Sequence, residues 1–287
     1  MSTIDPSLGI GSVELAVSDL PRSADFYGRI LGLPLLSLRE QHAQLGTDPA
    51  RPALVLTQIE RPTPVPAGAT GLFHVAWLHP SRAALAETVR RVAGARWQID
   101  GVADHGVSEA LYLSDPDGLG IEIYVDRPRE QWQRAADGRG VAMVTEPLDL
   151  AGLLAEHPDD PDGTMPAGTG IGHVHLQVSD VPRAEAFYTG SLGFEQQALL
   201  PSAAFVSAGG YHHHVGLNSW QSRGAGRAPD SAPGLRRVQF GLADASAIDA
   251  IERSLSDAGG EEQPVRGQDG SLVVVDPDGQ PIAFSAR

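Results

Sequence analysis

Residues 9–33 read GIGSVELAVSDLPRSADFYGRILGL, and residues 170–194 read GIGHVHLQVSDVPRAEAFYTGSLGF. The two segments align without a gap. Each opens with apolar residues at every second position, Val13, Leu15 and Val17 in one and Val174, Leu176 and Val178 in the other. A period of two predicts a β-strand. Asp19 and Asp180 then stand as helix caps, with Pro21 and Pro182 in the first turn. Helices carrying Phe26-Tyr27 and Phe187-Tyr188 follow, and Gly32 and Gly193 end them.

A weaker repeat lies inside each half. Residues 71–78, GLFHVAWL, predict a strand, a helix spans 82–92, and strands with the turn SDPDG follow. Residues 234–242, GLRRVQFGL, open the same way. There a helix spans 246–258, and the segment ends in VVDPDGQPIAFS. The chain is therefore expected to be an α+β protein of four tandem βαβββ modules, beginning near residues 9, 71, 170 and 234. Modules one and two make an N-terminal half, 1–130, and modules three and four a C-terminal half, 169–287. Residues 131–168 are the connector, with a helix expected around Leu148–Glu156. A second irregular stretch, 221–233, is rich in Gly, Pro and Ser and is expected to be a surface loop able to cover a site.

Composition narrows the chemistry. The 287 residues carry 21 basic and 36 acidic side chains, a net charge of -15. That argues against nucleic acid as a partner. No apolar run is long enough to span a membrane, and the N-terminus lacks a signal pattern, so a cytoplasmic protein is expected. There is no cysteine, so a metal would have to be held by nitrogen and oxygen, and 10 histidines are available.

One stretch stands out, ADHGVSEALYLSDPDGLGIEIY at 103–124. It sets a carboxylate, Glu122, among Ile121, Ile123 and Tyr124. A carboxylate in an apolar strand is normally paired or bound to a metal. An arginine partner would serve as well as an ion. The C-terminal copy of the turn leads to Ala283 at the aligned position, so the repeat itself does not require an acid there.

Four tandem βαβββ modules resemble the vicinal oxygen chelate superfamily over nearly the whole chain outside the connector. The resemblance implies that modules pair into two cup-shaped, eight-stranded half-barrels, with metal ligands on the first and last strands. Module one offers Ser12 and no ligand on its last strand. Module two offers His74 and Glu122. Module three offers His173 and the run His212-His213-His214. Module four offers Arg237 and Ala283. The metal cup is therefore expected to form between modules two (71–126) and three (170–220), within one chain or across a homo-oligomer.

The spacing His105, Leu111-Tyr112, Asp115-Pro116, Gly118, Glu122 further resembles the signature of type I extradiol ring-cleavage dioxygenases, with Ala103 as a departure. That resemblance, closest to the catechol 2,3-dioxygenase branch, implies Fe²⁺, or Mn²⁺ in its place, held by His74, Glu122 and His173. It implies a catechol-type substrate with O₂. His214 would be the acid–base residue, by strand alternation on the cup side with His212, and His213 would face away. Tyr112 would hydrogen-bond the substrate oxygen, and His105 would be an outer donor near the oxygen-binding side. More ordinary roles compete: His105 as a loop cap, Tyr112 as a core aromatic, the histidine run as a surface tract. Two functional rivals are a glyoxalase-like isomerase or lyase, which would want a second carboxylate in place of His214, and a non-enzymatic small-ligand module, which would have lost the ligands.

Overall fold

The computed structural model describes residues 3–136, 138, 140–157, 163–259 and 263–287. Residues 137, 139 and 158–162, inside the expected connector, lie outside the described residues. Module one runs β1 (Gly9–Val17), α1 (Leu20–Asp25), β2 (Leu35–Leu38), β3 (His42–Leu45) and β4 (Leu54–Gln58). Module two runs β5 (Gly71–Leu78), α2 (Arg82–Gly94), β6 (Gly101–Asp104), β7 (Ser108–Ser114) and β8 (Gly120–Asp126). The connector holds α3 (Leu150–Ala155). Module three runs β9 (Gly170–Gln177), α4 (Val181–Ala186), β10 (Glu195–Leu200), β11 (Ala203–Ser207) and β12 (Val215–Asn218). Module four runs β13 (Gly234–Leu242), α5 (Ala245–Ala258), β14 (Val265–Arg266), β15 (Leu272–Val275) and β16 (Pro281–Ala286). The α+β class and the four-module repeat agree with the sequence.

The strands form two eight-stranded sheets. One has the order β14-β15-β16-β13-β1-β4-β3-β2 and so joins modules four and one. The other has the order β10-β11-β12-β9-β5-β8-β7-β6 and joins modules three and two. At each junction the first strands of two modules run antiparallel, β1 beside β13 and β5 beside β9. Inside each module the first and last strands are parallel, as in β5 and β8. One continuous core fills the space between the sheets and their helices, including Trp77, Leu85, Val89, Ile121 and Ile123.

The caps form as the sequence implies. The Asp19 carboxylate accepts from the Arg22 amide at 3.0 Å, and Asp180 from the Arg183 amide at 2.8 Å. Each short helix then loosens into a π turn, Phe26–Ile30 and Phe187–Ser191. That turn carries a tyrosine onto the next module. The Tyr27 hydroxyl donates to Asp115 at 3.2 Å, and Tyr188 to Asp276 at 3.3 Å. Both aspartates sit in the DPDG turns and also accept two backbone amides, Asp117 and Leu119 in one case, Asp278 and Gln280 in the other. Modules one and two are thus clasped helix to turn, as are three and four, although the sheets join one to four and two to three.

The stretch 221–233 does not cover the cup. Its Arg227 and Ala228 lie along Thr70 at the sheet junction, where Thr70 donates its amide to Gly226 and accepts from Ala228. The cup is instead closed by the connector. Glu146 and Asp104 exchange both backbone hydrogen bonds, at 2.8 and 2.9 Å, which extends the edge strand β6. No helix among the described residues is long and apolar enough to cross a membrane.

Candidate active site

The centre of the second sheet sets the site. The register opposes His74 to His175 and Ala76 to His173 across β5 and β9. On the other side of β5, Glu122 of β8 is paired with Ala76. Alternation sends Val75, Trp77, Ile121 and Ile123 to the helix-covered core and turns Ala76, Tyr112 and Tyr124 the other way. Glu122 shares the face of Tyr124. Two glycines allow this crowding. A Cβ on Gly120 would lie 2.0 Å from the Phe73 carbonyl oxygen, and one on Gly216 would lie 2.9 Å from the His175 ring.

Three side chains converge there. Nε2 of His74 and Nε2 of His173 lie 2.9 and 3.0 Å from the same oxygen, Oε2 of Glu122. The ring centres of the two histidines are 5.5 Å apart. One ligand atom from each of the three residues falls within 4.8 Å of the others. His173 meets the carboxylate as a hydrogen bond, but Nε2 of His74 is buried with no properly directed partner. An orphaned buried nitrogen costs stability unless something else satisfies it. Burial works to raise the Glu122 carboxyl, yet His173 and then His74 beside it hold it well below the usual carboxylate range. Burial brings His173 down to about 4 against the pull of Glu122. A neutral His173 beside an ionised carboxylate is in the protonation state a divalent cation requires, and two histidines with one carboxylate fit Fe(II) or Mn(II).

A cavity of about 440 Å³ opens over this cluster. Phe73, Val102, Leu200, Phe205 and Trp220 give it apolar walls, and Met143, Val144 and Thr145 of the connector close one side. His105 and Tyr112 stand at its edge as a pair. Nδ1 of His105 donates to the Val144 carbonyl at 2.7 Å, and its Nε2 lies 2.7 Å from the Tyr112 hydroxyl. Burial, with Glu122 nearby, pushes the Tyr112 phenol well up, so it keeps its proton.

The histidine run departs from the expected alternation. His213, not His214, lines the cavity, with its ring centre 3.9 Å from that of His173. His214 faces a separate cleft with Leu8, Ile10 and Ile171, and its Nδ1 accepts from the Ala208 amide at 3.2 Å. The cause is local. Gly209 and Gly210 take φ of 61° and 65°, and β12 begins only at Val215. The histidines lie in a bend, where a period of two does not apply. Burial brings His214 down to about 3. The sequence reading also passed over His175, fully buried on the cavity wall with an unpartnered Nε2. The pattern His173-x-His175 on one strand could have revealed it.

The other sheet holds no such set among the described residues. The positions equivalent to His74 and His175 are Arg237 and Glu14, which form an ion pair at 3.2 Å.

Residues 9–123 and 170–284 match the Glyoxalase/Bleomycin resistance protein/Dioxygenase superfamily. A catechol-2,3-dioxygenase of Bacillus subtilis (strain 168) is 42% identical over 262 residues, covering 90% of this chain and 91% of that one. The fold is similar to a putative dioxygenase from Bacillus subtilis subsp. subtilis str. 168, with a TM-score of 0.70 at 14% identity over 99% of this chain and 86% of that one. It is also similar to glyoxalase I from Zea mays, with a TM-score of 0.58 at 18% identity over 97% of this chain and 92% of that one.

Proposed function

This chain belongs to the Glyoxalase/Bleomycin resistance protein/Dioxygenase superfamily, and from that premise we propose that it is an extradiol dioxygenase, cleaving a catechol-type ring with O₂. The observation that carries the proposal is the convergence of His74 and His173 on one oxygen of Glu122, beneath a largely apolar cavity into which a further neutral histidine opens. His74, Glu122 and His173 would hold Fe(II), or Mn(II) in its place, and the bound ion would supply the Lewis acidity that binds a catechol and the electron that activates O₂. His213 takes the proton of a catechol hydroxyl. Burial holds its ring well below the ordinary histidine value, so it is neutral and able to accept. Tyr112, its hydroxyl turned by His105, hydrogen-bonds the substrate oxygen. Phe73, Phe205 and Trp220 offer faces and edges to a flat ring and keep water out. The proposal includes a cytoplasmic setting.

A glyoxalase-like isomerase would call for a second carboxylate at the metal. Among the described residues Glu122 is the one carboxylate on the cavity wall, and His175 and His213 occupy the remaining inner positions. The test is anaerobic loading with Fe(II), then addition of catechol or a substituted catechol with O₂. A yellow ring-opened product is expected. Metal-loaded protein that opens none of these rings while isomerising a thiol adduct of a 2-oxoaldehyde would overturn the assignment.

A further inference from the structure

Behind the cavity, two groups that no role above employs run from His213 toward the protein edge. His212 is completely buried. Its Nδ1 lies 2.8 Å from Nδ1 of His213, and its Nε2 lies 2.8 Å from Oδ1 of Asp126. The Asp126 side chain is one quarter exposed (25%), at the end of β8, four residues past Glu122. Tyr211 also donates to that oxygen at 3.3 Å, and Tyr124 stands behind Tyr211 at 2.8 Å. Nε2 of His213 has no partner in the protein.

Hydrogen-bond directionality orders the chain. An ionised carboxylate only accepts, so Nε2 of His212 must carry a proton. In the neutral ring its Nδ1 is then a bare lone pair and can only accept. The facing Nδ1 of His213 must therefore donate. A neutral His213 that is protonated at Nδ1 has a bare Nε2, the nitrogen left for the cavity. With both rings neutral, the opposite arrangement would bring two lone pairs together at 2.8 Å in a buried place.

We propose that Asp126, acting through His212, fixes His213 in the tautomer whose Nε2 presents a lone pair to the cavity. Asp126 and His212 are positioning residues, since neither touches the cavity. The tautomer belongs to the fold alone, whereas its catalytic meaning rests on His213 being the base assigned under Proposed function. A base protonated on the cavity side could not take the substrate proton, whatever its distance.

The experiment reads the tautomer directly. Protein with ¹⁵N-labelled histidine, loaded with Zn(II) as a diamagnetic probe, is examined by long-range ¹H–¹⁵N correlation. The expected result for the wild type is a protonated-type Nδ1 and a bare-type Nε2 at His213. In Asp126→Leu, which removes the acceptor while keeping the branched shape, His213 Nε2 is expected to gain proton character. With Fe(II) in place of zinc, kcat on a catechol should then fall on the order of a hundredfold, with metal content retained and KM within about twofold. Asp126→Glu should recover the wild-type tautomer and most of kcat. A wild-type His213 protonated at Nε2 overturns the proposal without any variant, so failure of Asp126→Leu to fold does not shield it. An unchanged tautomer in a folded Asp126→Leu overturns it too. If the wild type opens no catechol, the proposed function fails, and the nitrogen shifts still decide the tautomer.

Discussion

His213 and His214 are adjacent in sequence and line separate cavities. At this scale the assignments can be separated by single substitutions. His213→Ala should keep the metal and lose turnover by about 10²–10⁴-fold. His214→Ala should leave kcat within about threefold, because its ring is packed against Tyr211 outside the cavity. Steady-state kinetics beside iron analysis distinguishes the two. Glu122→Ala should take the stoichiometry of added divalent metal from near one to near zero, measured after gel filtration, since it removes the anionic member of the cluster. The convergence of His74, Glu122 and His173 was legible in the sequence because each lies inside a strand. There alternation fixes the face, and an acid or imidazole among apolar neighbours is conspicuous. His213 was not legible. Its direction depends on two left-handed glycines and on where β12 begins, neither of which a two-residue period can encode.

Among elements, the clasp between helix and turn recurs with the same chemistry in both halves. Tyr27→Phe should destabilise the protein by about 1 kcal/mol, as should Tyr188→Phe, because each removes one buried hydrogen bond while the aspartate keeps its backbone donors. Urea unfolding of each variant beside the wild type measures the loss. The repeat made the modules and their helix caps readable, and DPDG was readable as a turn. Its second use, receiving a tyrosine from 88 residues earlier, was not. That contact depends on how two modules dock, and docking leaves no periodic trace. The same limit applies to the loop 221–233, whose composition announces a surface segment without saying which surface.

At the scale of the whole molecule, buried titratable groups set the response to pH. Nδ1 of His79 donates to the Trp77 carbonyl at 3.2 Å, and its Nε2 accepts from the Thr88 hydroxyl at 2.9 Å. Burial brings it down to about 4, with Arg91 adding to the effect. Its folded value is below the 6.5 of the free side chain, so its contribution is complete above about pH 6.5 and is lost as pH falls toward 4. Asp115 and Asp276 act in the opposite sense. Burial lifts both to about 6, so their contribution is present below 3.8 and lost as pH rises through 6. Unfolding free energies at about pH 7 and about pH 5 should show His79→Gln losing roughly 2 kcal/mol less than the wild type across that interval.

The order of strands in the two sheets also determines what becomes of a severed chain. A nick between residues 157 and 163 separates the modules in pairs, one with two and three with four, while every sheet needs a strand from each piece. Neither fragment holds both His74 and His173, so neither is expected to retain a metal alone. Mixed, they should regain it, and on dilution the ring-opening rate should fall with the square of fragment concentration. An enzyme of one polypeptide would then behave, for as long as the cut persists, as an obligate heterodimer whose subunits are its own two ends.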